Sequence, residues 1–362
     1  MLIEVGDDII DKAENGDSVA VEVLEQLANA YKYNKHLIFL LPKQCKLISS
    51  IKYLSSNSRA IYNGMKVYGL DSIKGKIKFS AIISYINPNA ANKLWINPKD
   101  YKTMEFYEET HLLIENLLDK RFFEKVVSYY RNNNKLRDQP ICYYPLHGGG
   151  GTIKTVYEEE IQLKQHFCLA IVDGDKKYPG DKYGQTSENL KTIHDSKNPF
   201  NCRYYRMEYV SEIENLIPIS VIDKFGYKTN VNPILQIRPL SYVDMKKGVI
   251  CCNIINQEMY DYILSLLNGI GLRAKLEECK ECLLNCNFRV DKKTKETCMK
   301  SKTIIAGLGS DLLLNLLNNG KCRGMLEKIG KRDLTDDQLK EWDKIGKMIF
   351  EWCCCAEKPK LV

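Results

Sequence analysis

Apolar positions in the first part of the chain recur at helical spacing. Ile9, Ile10 and Ala13, then Val19, Val23, Leu24, Leu27 and Ala28, fall mostly three or four residues apart, which predicts helix over residues 6–32. The apolar run from His36 to Leu41 reads as a buried strand, residues 45–68 as helical or mixed, and Lys76 to Tyr85 as a second strand. Asn87-Pro88-Asn89 marks a turn. No repeat or low-complexity tract breaks the pattern.

Between residues 111 and 226 the rhythm sharpens. His111 to Glu115 is a short apolar strand, and Asp119 to Tyr130 an amphipathic helix with Phe122, Phe123, Val126, Val127 and Tyr130 inward. Ile141 to Leu146 is the next strand, followed by a glycine turn, His147 to Gly151, and a helix from Thr152, its cap, to Gln165. Phe167 to Val172 is apolar throughout, as a buried parallel strand should be. Cys202 to Tyr209 reads as a fourth strand and Ser211 to Phe225 as a further helix. Strands alternating with helices imply βαβ units and a mostly parallel sheet. Past residue 230, helices are predicted at 256–268, 303–318 and 335–351, the last opened by the capping box Thr335-Asp336-Asp337-Gln338. The expected fold class is therefore α/β with a mostly parallel sheet. An N-terminal α/β region (1–107) of unread role precedes a core (108–226) and a mostly helical C-terminal region (227–362) with a cysteine cluster.

Composition adds limits. The chain has 362 residues, enough for two domains or one large one, and 44% hydrophobic with 10% aromatic residues supports a true core. The net charge of +7 permits a polyanionic partner, but a lysine-rich solvated surface accounts for it equally well. Met1 to Asp8 is acidic and lacks a basic-then-apolar leader, and His36 to Pro42 is too short to span a bilayer. A cytoplasmic, soluble protein with no membrane partner is expected. With 14 cysteines and no leader, free thiols or zinc are expected over disulfides. Cys279, Cys282, Cys286 and Cys298 could hold a structural Zn²⁺, although the second spacing is loose and chance pairs are common in so cysteine-rich a chain. The run Cys353-Cys354-Cys355 could add a ligand or pack as small buried residues.

Three acidic motifs fall at or just after predicted strand ends, the edge at which open α/β sheets bind ligands. Glu115 and Asp119 form the first, and a helix-surface pair explains them as readily. Asp173-Gly174-Asp175 is the second: in extended chain both carboxylates face one side, where a hard cation relieves their repulsion, while an Asx turn is the rival reading. Glu212-Ile213-Glu214 is the third, and a favourably charged helix N-terminus is its rival. Gly149 and Gly150 in the glycine turn could bring backbone amides to a phosphate, or simply turn the chain tightly.

The order of these motifs, LLIENLLDKRFF, PLHGGGGT, LAIVDGDKKYP and SEIENLIP, resembles the TOPRIM domain over roughly residues 108–226, most closely the nuclease branch of OLD-like and stand-alone anti-phage defence proteins. The sequence departs from the family pattern at Asn116, where a glycine is common, and at Lys177, where topoisomerases often carry a third acid. The resemblance implies a Mg²⁺- or Mn²⁺-dependent endonuclease. Its metal ligands would come from Glu115, Asp173, Asp175, Glu212 and Glu214, with Asp119 and Lys177 (or Lys176) completing the catalytic set. It also implies nucleic acid as partner, DNA or RNA including tRNA, a separate P-loop ATPase, and room for a homo-oligomer.

Other classes fit less well. His147-Gly-Gly-Gly is an esterase oxyanion signature, but no Gly-x-Ser-x-Gly elbow accompanies it. No Gly-Lys-Ser/Thr is present for a P-loop of the chain's own. A topoisomerase or primase would share the acids, but one TOPRIM segment in so short a chain argues against a topoisomerase, which needs a nucleophilic Tyr in a separate cleavage domain. A non-catalytic binding or regulatory protein on the same scaffold is the remaining rival, and intact carboxylates argue against it.

Overall fold

The computed structural model describes residues 1–65, 73–99, 104–227, 232–285 and 303–356. They form an α/β structure in two compact units, each built from separated stretches of chain. The first unit comprises Met1–Val172, Asn189–Tyr205 and Lys344–Val362; the second comprises Asp173–Glu188 and Arg206–Asp343. The units therefore do not follow a linear division at residues 107 and 226. Among the described residues no helix is long and apolar enough to cross a membrane.

The first unit holds two four-stranded sheets. One is ordered β2-β1-β3-β4, from β1 (Leu2–Val5), β2 (Leu37–Phe39), β3 (Ser80–Ile83) and β4 (Lys93–Ile96), all parallel. The other is ordered β6-β5-β7-β8, from β5 (Thr110–Ile114), β6 (Tyr143–His147), β7 (Cys168–Val172) and β8 (Cys202–Arg206). β5 is parallel to both neighbours, with Ile114 opposite His147 on one side and Ile171 on the other. Every residue of β7 is buried, as the unbroken apolar run requires of a strand covered on both faces.

The predicted helix over 6–32 is two helices, α1 (Asp7–Glu14) and α2 (Ser18–Lys32). The break is local: Gly16 takes φ 87°, and the Asp17 carboxylate caps α2 by accepting from the Ala20 amide at 2.9 Å. Helices α3 (Pro42–Ser50) and α4 (Ser56–Gly64) follow. Helix α5 spans Leu117–Asn133 and buries Phe122, Phe123, Val126, Val127 and Tyr130 as its periodicity predicts. Helix α6 spans Gly149–Leu163 and begins three residues before Thr152; its N-cap is Gly148. The helix begins early because the chain turns tightly into it at Gly149, whose φ of 51° glycine adopts readily.

Tyr157, Ile161 and Ile153 of α6 pack with Leu113, Cys168, Ala170 and Val172 of the sheet, and with Leu190 and Ile193 of helix α7 (Gln185–Lys197). The strand ends are sealed by the segment after residue 352. The Cys142 amide donates to Cys353 O at 2.8 Å, Cys355 N to Pro140 O at 3.2 Å, and Ala356 N to His36 O at 3.2 Å. Cys353, Cys354 and Cys355 are buried free thiols, and no disulfide forms among the described cysteines.

In the second unit the expected helix from Ser211 to Phe225 is a short 3₁₀ turn, Ile213–Leu216, and a separate helix α8, Ile219–Phe225. Pro218 sits at the break, where it lacks the amide that a continuous helix would need. The predicted helix over 303–318 is likewise two elements. Residues Thr303–Ala306 form strand β10, antiparallel to β9 (Gly248–Ile250), and only Leu312–Asn318 is helix (α11). The β-branched run Thr303-Ile304-Ile305 favours the strand, and Gly307 and Gly309 separate the two. Helices α9 (Gln257–Leu267), α10 (Arg273–Asn285), α12 (Gly320–Leu326) and α13 (Asp336–Cys353) complete the set. The Thr335–Gln338 capping box is present: Gln338 N donates to Thr335 Oγ1 at 3.3 Å and Thr335 N to Gln338 Oε1 at 3.1 Å.

Within the first unit, α13 meets α5 at Gly346, where a Cβ would lie 2.5 Å from Tyr130 Cβ and 3.1 Å from Val126 O. Gly346→Ala should therefore destabilise the protein by about 1–3 kcal/mol through overpacking, despite the better helix propensity of alanine. Urea unfolding checks this, and a variant as stable as wild type would refute the contact.

Candidate functional site

Glu115 follows β5 directly and is half-buried. Its carbonyl accepts from the Gly149 amide at 3.1 Å, and the Gly148 amide donates to Ile114 O at 3.2 Å. Gly148 must be glycine, since a Cβ there would lie 2.2 Å from Ile153 Cα, and Gly149 adopts φ 51°. Two amides of the glycine turn thus bind the end of β5, the tight-turn reading of this motif, while Gly150 lies in the first turn of α6. Asp119 caps α5: its Oδ2 accepts from Asn116 N at 2.9 Å, and Asn116 Oδ1 accepts from Leu118 N at 2.9 Å. Both acids belong to the first unit.

Asp173, Asp175, Glu212 and Glu214 belong to the second. β7 ends at Val172, so the same-side alternation expected of Asp173 and Asp175 does not apply, and Asp175 takes φ 54°, a left-handed conformation that aspartate tolerates better than most residues. The backbone here is fixed several times over. The Gly174 and Asp175 amides donate to Ser211 O at 2.9 and 2.8 Å, Ser211 N donates to Ser241 O at 2.7 Å, and Gly184 N donates to Gly174 O at 2.9 Å. Asp173 Oδ1 accepts from the Ile213 amide at 3.1 Å. Gly174 and Gly184 allow close approach: a Cβ on the first would lie 2.5 Å from Met207 O, and one on the second 2.3 Å from Asp175 Oδ2.

Glu212 and Glu214 flank the start of the 3₁₀ turn, which hydrogen bonds hold from below. Asn215 Nδ2 donates to Leu240 O at 2.7 Å and Val243 O at 2.8 Å, and Asn215 Oδ1 accepts from Glu212 N at 3.0 Å. Gln338 Nε2 donates to Asn215 O at 2.8 Å and Ile217 O at 3.1 Å, and Trp342 Nε1 donates to Leu216 O at 3.0 Å. Buried backbone carbonyls that would otherwise lack partners are satisfied in this way.

The two glutamates share one cation. Lys246 Nζ lies 2.9 Å from Glu212 Oε2 and 3.1 Å from Glu214 Oε2, and the glutamate side chains are only 13% and 7% exposed. Asp244 Oδ1 holds the turn that presents this lysine, accepting from Lys246 N at 3.0 Å and Lys247 N at 2.7 Å. Glu212 Oε1 is buried without a hydrogen bond. Burial, then the charge of Glu214, push the Glu212 carboxyl up to about 7 against the pull of Lys246. The Lys246 ammonium is held above its ordinary value, burial opposing and the two glutamates prevailing. Asp175 is also raised, by the protein packed behind its exposed carboxylate, with Lys246 and Lys177 pulling it back.

Asp175, Lys177, Glu212, Tyr242 and Asp244 line a cavity of about 370 Å³. Lys177 is exposed there, whereas the buried Lys176 places its ammonium 4.9 Å from the Tyr183 ring centre and 5.6 Å from that of Tyr242. Lys246, Asp244 and Asn215 are the site residues that the sequence pattern did not single out. Of the four proposed zinc ligands, Cys279 is a buried free thiol with its Sγ 3.5 Å from Lys275 O. Cys282 lies in α10, and Cys286 and Cys298 fall outside the described residues.

Because folding raises the Glu212 pKa, the folded state favours its protonated form, and stability falls as pH rises from about 4.5 to 7. In EDTA, Glu212→Gln should remove that decline and be more stable than wild type by about 1–3 kcal/mol at pH 8, but not at pH 4. Urea unfolding at both pH values measures it, and equal differences at the two would refute the assignment.

The chain matches no protein-family model, no curated protein and no solved structure.

Proposed function

We propose that the chain is a divalent-metal-dependent nuclease on a TOPRIM-like core, hydrolysing nucleic-acid phosphodiester bonds as a toxic effector of anti-phage defence. One observation carries the reading: Asp175, Glu212 and Asp244 line one cavity, Glu212 and Glu214 crowd against one lysine, and a buried Glu212 oxygen is left without a hydrogen bond. Such crowding is costly unless a cation is held there. The donors are hard oxygens, which suit Mg²⁺ or Mn²⁺.

Asp173, Asp175, Glu212 and Glu214 are the residues that would hold the ion, and the resemblance of the motifs adds Glu115 as a further ligand or general base. The ion's chemistry, when bound, is to acidify an attacking water and to neutralise charge on the phosphate. The Ile213 amide orients the Asp173 carboxylate, and the backbone bonds to Ser211 O fix the chain beneath Asp175. Lys177, exposed at the cavity rim, supplies positive charge for a phosphate backbone. The substrate is DNA or RNA, tRNA included, and any use of ATP falls to a separate P-loop ATPase.

The resident Lys246 favours a second reading, a non-catalytic binding or regulatory protein whose acids are neutralised by that lysine alone. Lys246→Met separates the two. A metal site predicts a variant destabilised in EDTA, by about 3 kcal/mol or more, and largely restored by millimolar Mg²⁺. The lysine-only reading predicts the same loss with no restoration.

Purified protein should cut plasmid DNA or total tRNA with Mg²⁺ or Mn²⁺ and not with EDTA. Asp173→Asn and Glu115→Ala should each lose at least about 100-fold in rate (≈ 2.7 kcal/mol in the barrier) and lose cell toxicity, with melting temperatures near wild type. Unchanged toxicity in both variants would overturn the proposal.

A further inference from the structure

A second group of metal-binding side chains lies in the first unit, apart from the acids above. His111, Glu160 and His166 each offer one ligand atom, and these atoms all lie within 4.8 Å of one another. We infer that His111, Glu160 and His166 form a binding site for a divalent transition-metal ion of the Zn²⁺ type.

The site is built from three elements whose backbones are tied together. His111 is the second residue of β5, Glu160 lies in the last turn of α6, and His166 lies between α6 and β7. The His111 amide donates to Phe167 O at 2.7 Å, and Glu105 N donates to Gln165 O at 2.8 Å. Asn201, wholly buried, donates through Nδ2 to Glu160 O at 2.9 Å and to His166 O at 3.0 Å, so one side chain fixes the spacing of two ligands. Lys164 at φ 54° ends α6 and turns the chain toward His166.

The contacts among the three side chains leave a cation's place. His111 Nδ1 lies 3.0 Å from Glu160 Oε2, yet it is a buried nitrogen with no aligned hydrogen bond. The His111 and His166 rings stack at 4.0 Å between centres, a contact that uses their faces and not their nitrogens. The Glu105 carboxylate lies 3.8 Å from His166 Nε2, placed to orient that ring. Two imidazoles and one carboxylate are a Zn²⁺ donor set, with water as the fourth ligand. Ligand atoms sharing a tetrahedral ion stand about 3.3 Å apart, so the rings must splay from their stack to close on it.

β5 rises about 3.3 Å per residue, which puts His111 roughly 13 Å along the strand from Glu115. The ion would thus join α6, β5 and the α6–β7 connection at the edge of the sheet opposite the glycine turn. Its donors include nitrogen, whereas the carboxylates of the second unit offer only oxygen, so Zn²⁺ or Co²⁺ distinguishes it from a Mg²⁺ site.

The test uses the full chain in the Asp173→Asn background, so that its outcome is independent of the nuclease reading. Titration with Co²⁺ should give one equivalent of visible d–d absorption without the thiolate charge-transfer bands that a cysteine site would show. Zn²⁺ should compete for it and should shift the imidazole resonances of His111 and His166. Glu160→Gln, which keeps the side-chain volume, and His166→Ala should each weaken binding roughly tenfold or more, while Cys279→Ser should leave it unchanged. Undiminished binding in both ligand variants, thiolate bands lost with Cys279→Ser, or no binding at micromolar metal would each overturn the inference.

Discussion

Lys246 stands 2.9 and 3.1 Å from two glutamates that are largely buried, and without its charge they would repel each other. Much of the second unit's framework serves to hold this arrangement. Asn215 and Gln338 satisfy the carbonyls around the 3₁₀ turn, Asp244 shapes the turn that carries the lysine, and the Ser211 carbonyl anchors two successive amides. Glu341, also buried, accepts from the amides of Glu208 and Tyr209 at 3.0 and 2.7 Å and fixes the approach to Ser211. A carboxylate cluster needs such rigidity, because a looser frame would let its members drift apart into water. The same rigidity would preorganise oxygen ligands for a small hard cation.

In the first unit the governing constraint is the parallel sheet. Strands that run the same way need helical crossovers, and a strand covered on both faces must be apolar throughout. The run Cys168–Val172 meets that demand. The glycine turn after β6 follows from it as well: α6 must leave the strand at once to reach Leu113 and Ala170 with Tyr157 and Ile161, and only glycine at position 148 lets Ile153 come so close.

Elements defined by local pattern were legible in the sequence. The inward face of α5, the apolar β7 and the Thr335–Gln338 cap all follow from spacing within a few residues. What depends on distant partners was not. β1 and β4, each four residues long, gain their strand character from pairing with β3. The apolar positions of 303–318 suit a helix, yet Thr303–Ala306 pairs with Gly248–Ile250 more than fifty residues away. The acids of the site could be picked out because carboxylates at strand ends are conspicuous. Lys246, 32 residues beyond Glu214, carries no local mark, and neither does the role of Asn215, whose acceptors lie 25 and 28 residues off.

The seal formed by Cys353, Cys355 and Ala356 has a consequence for synthesis on the ribosome. These residues bond to Cys142, Pro140 and His36, segments translated more than 200 residues earlier. At about 5–20 residues per second, those early segments wait roughly 10–60 s for their partners to emerge. Vectorial folding therefore cannot finish the first unit early. A chain that stalls before residue 353 leaves the amide of Cys142 and the carbonyls of Pro140 and His36 without these partners, and offers a quality-control protease an unclosed edge.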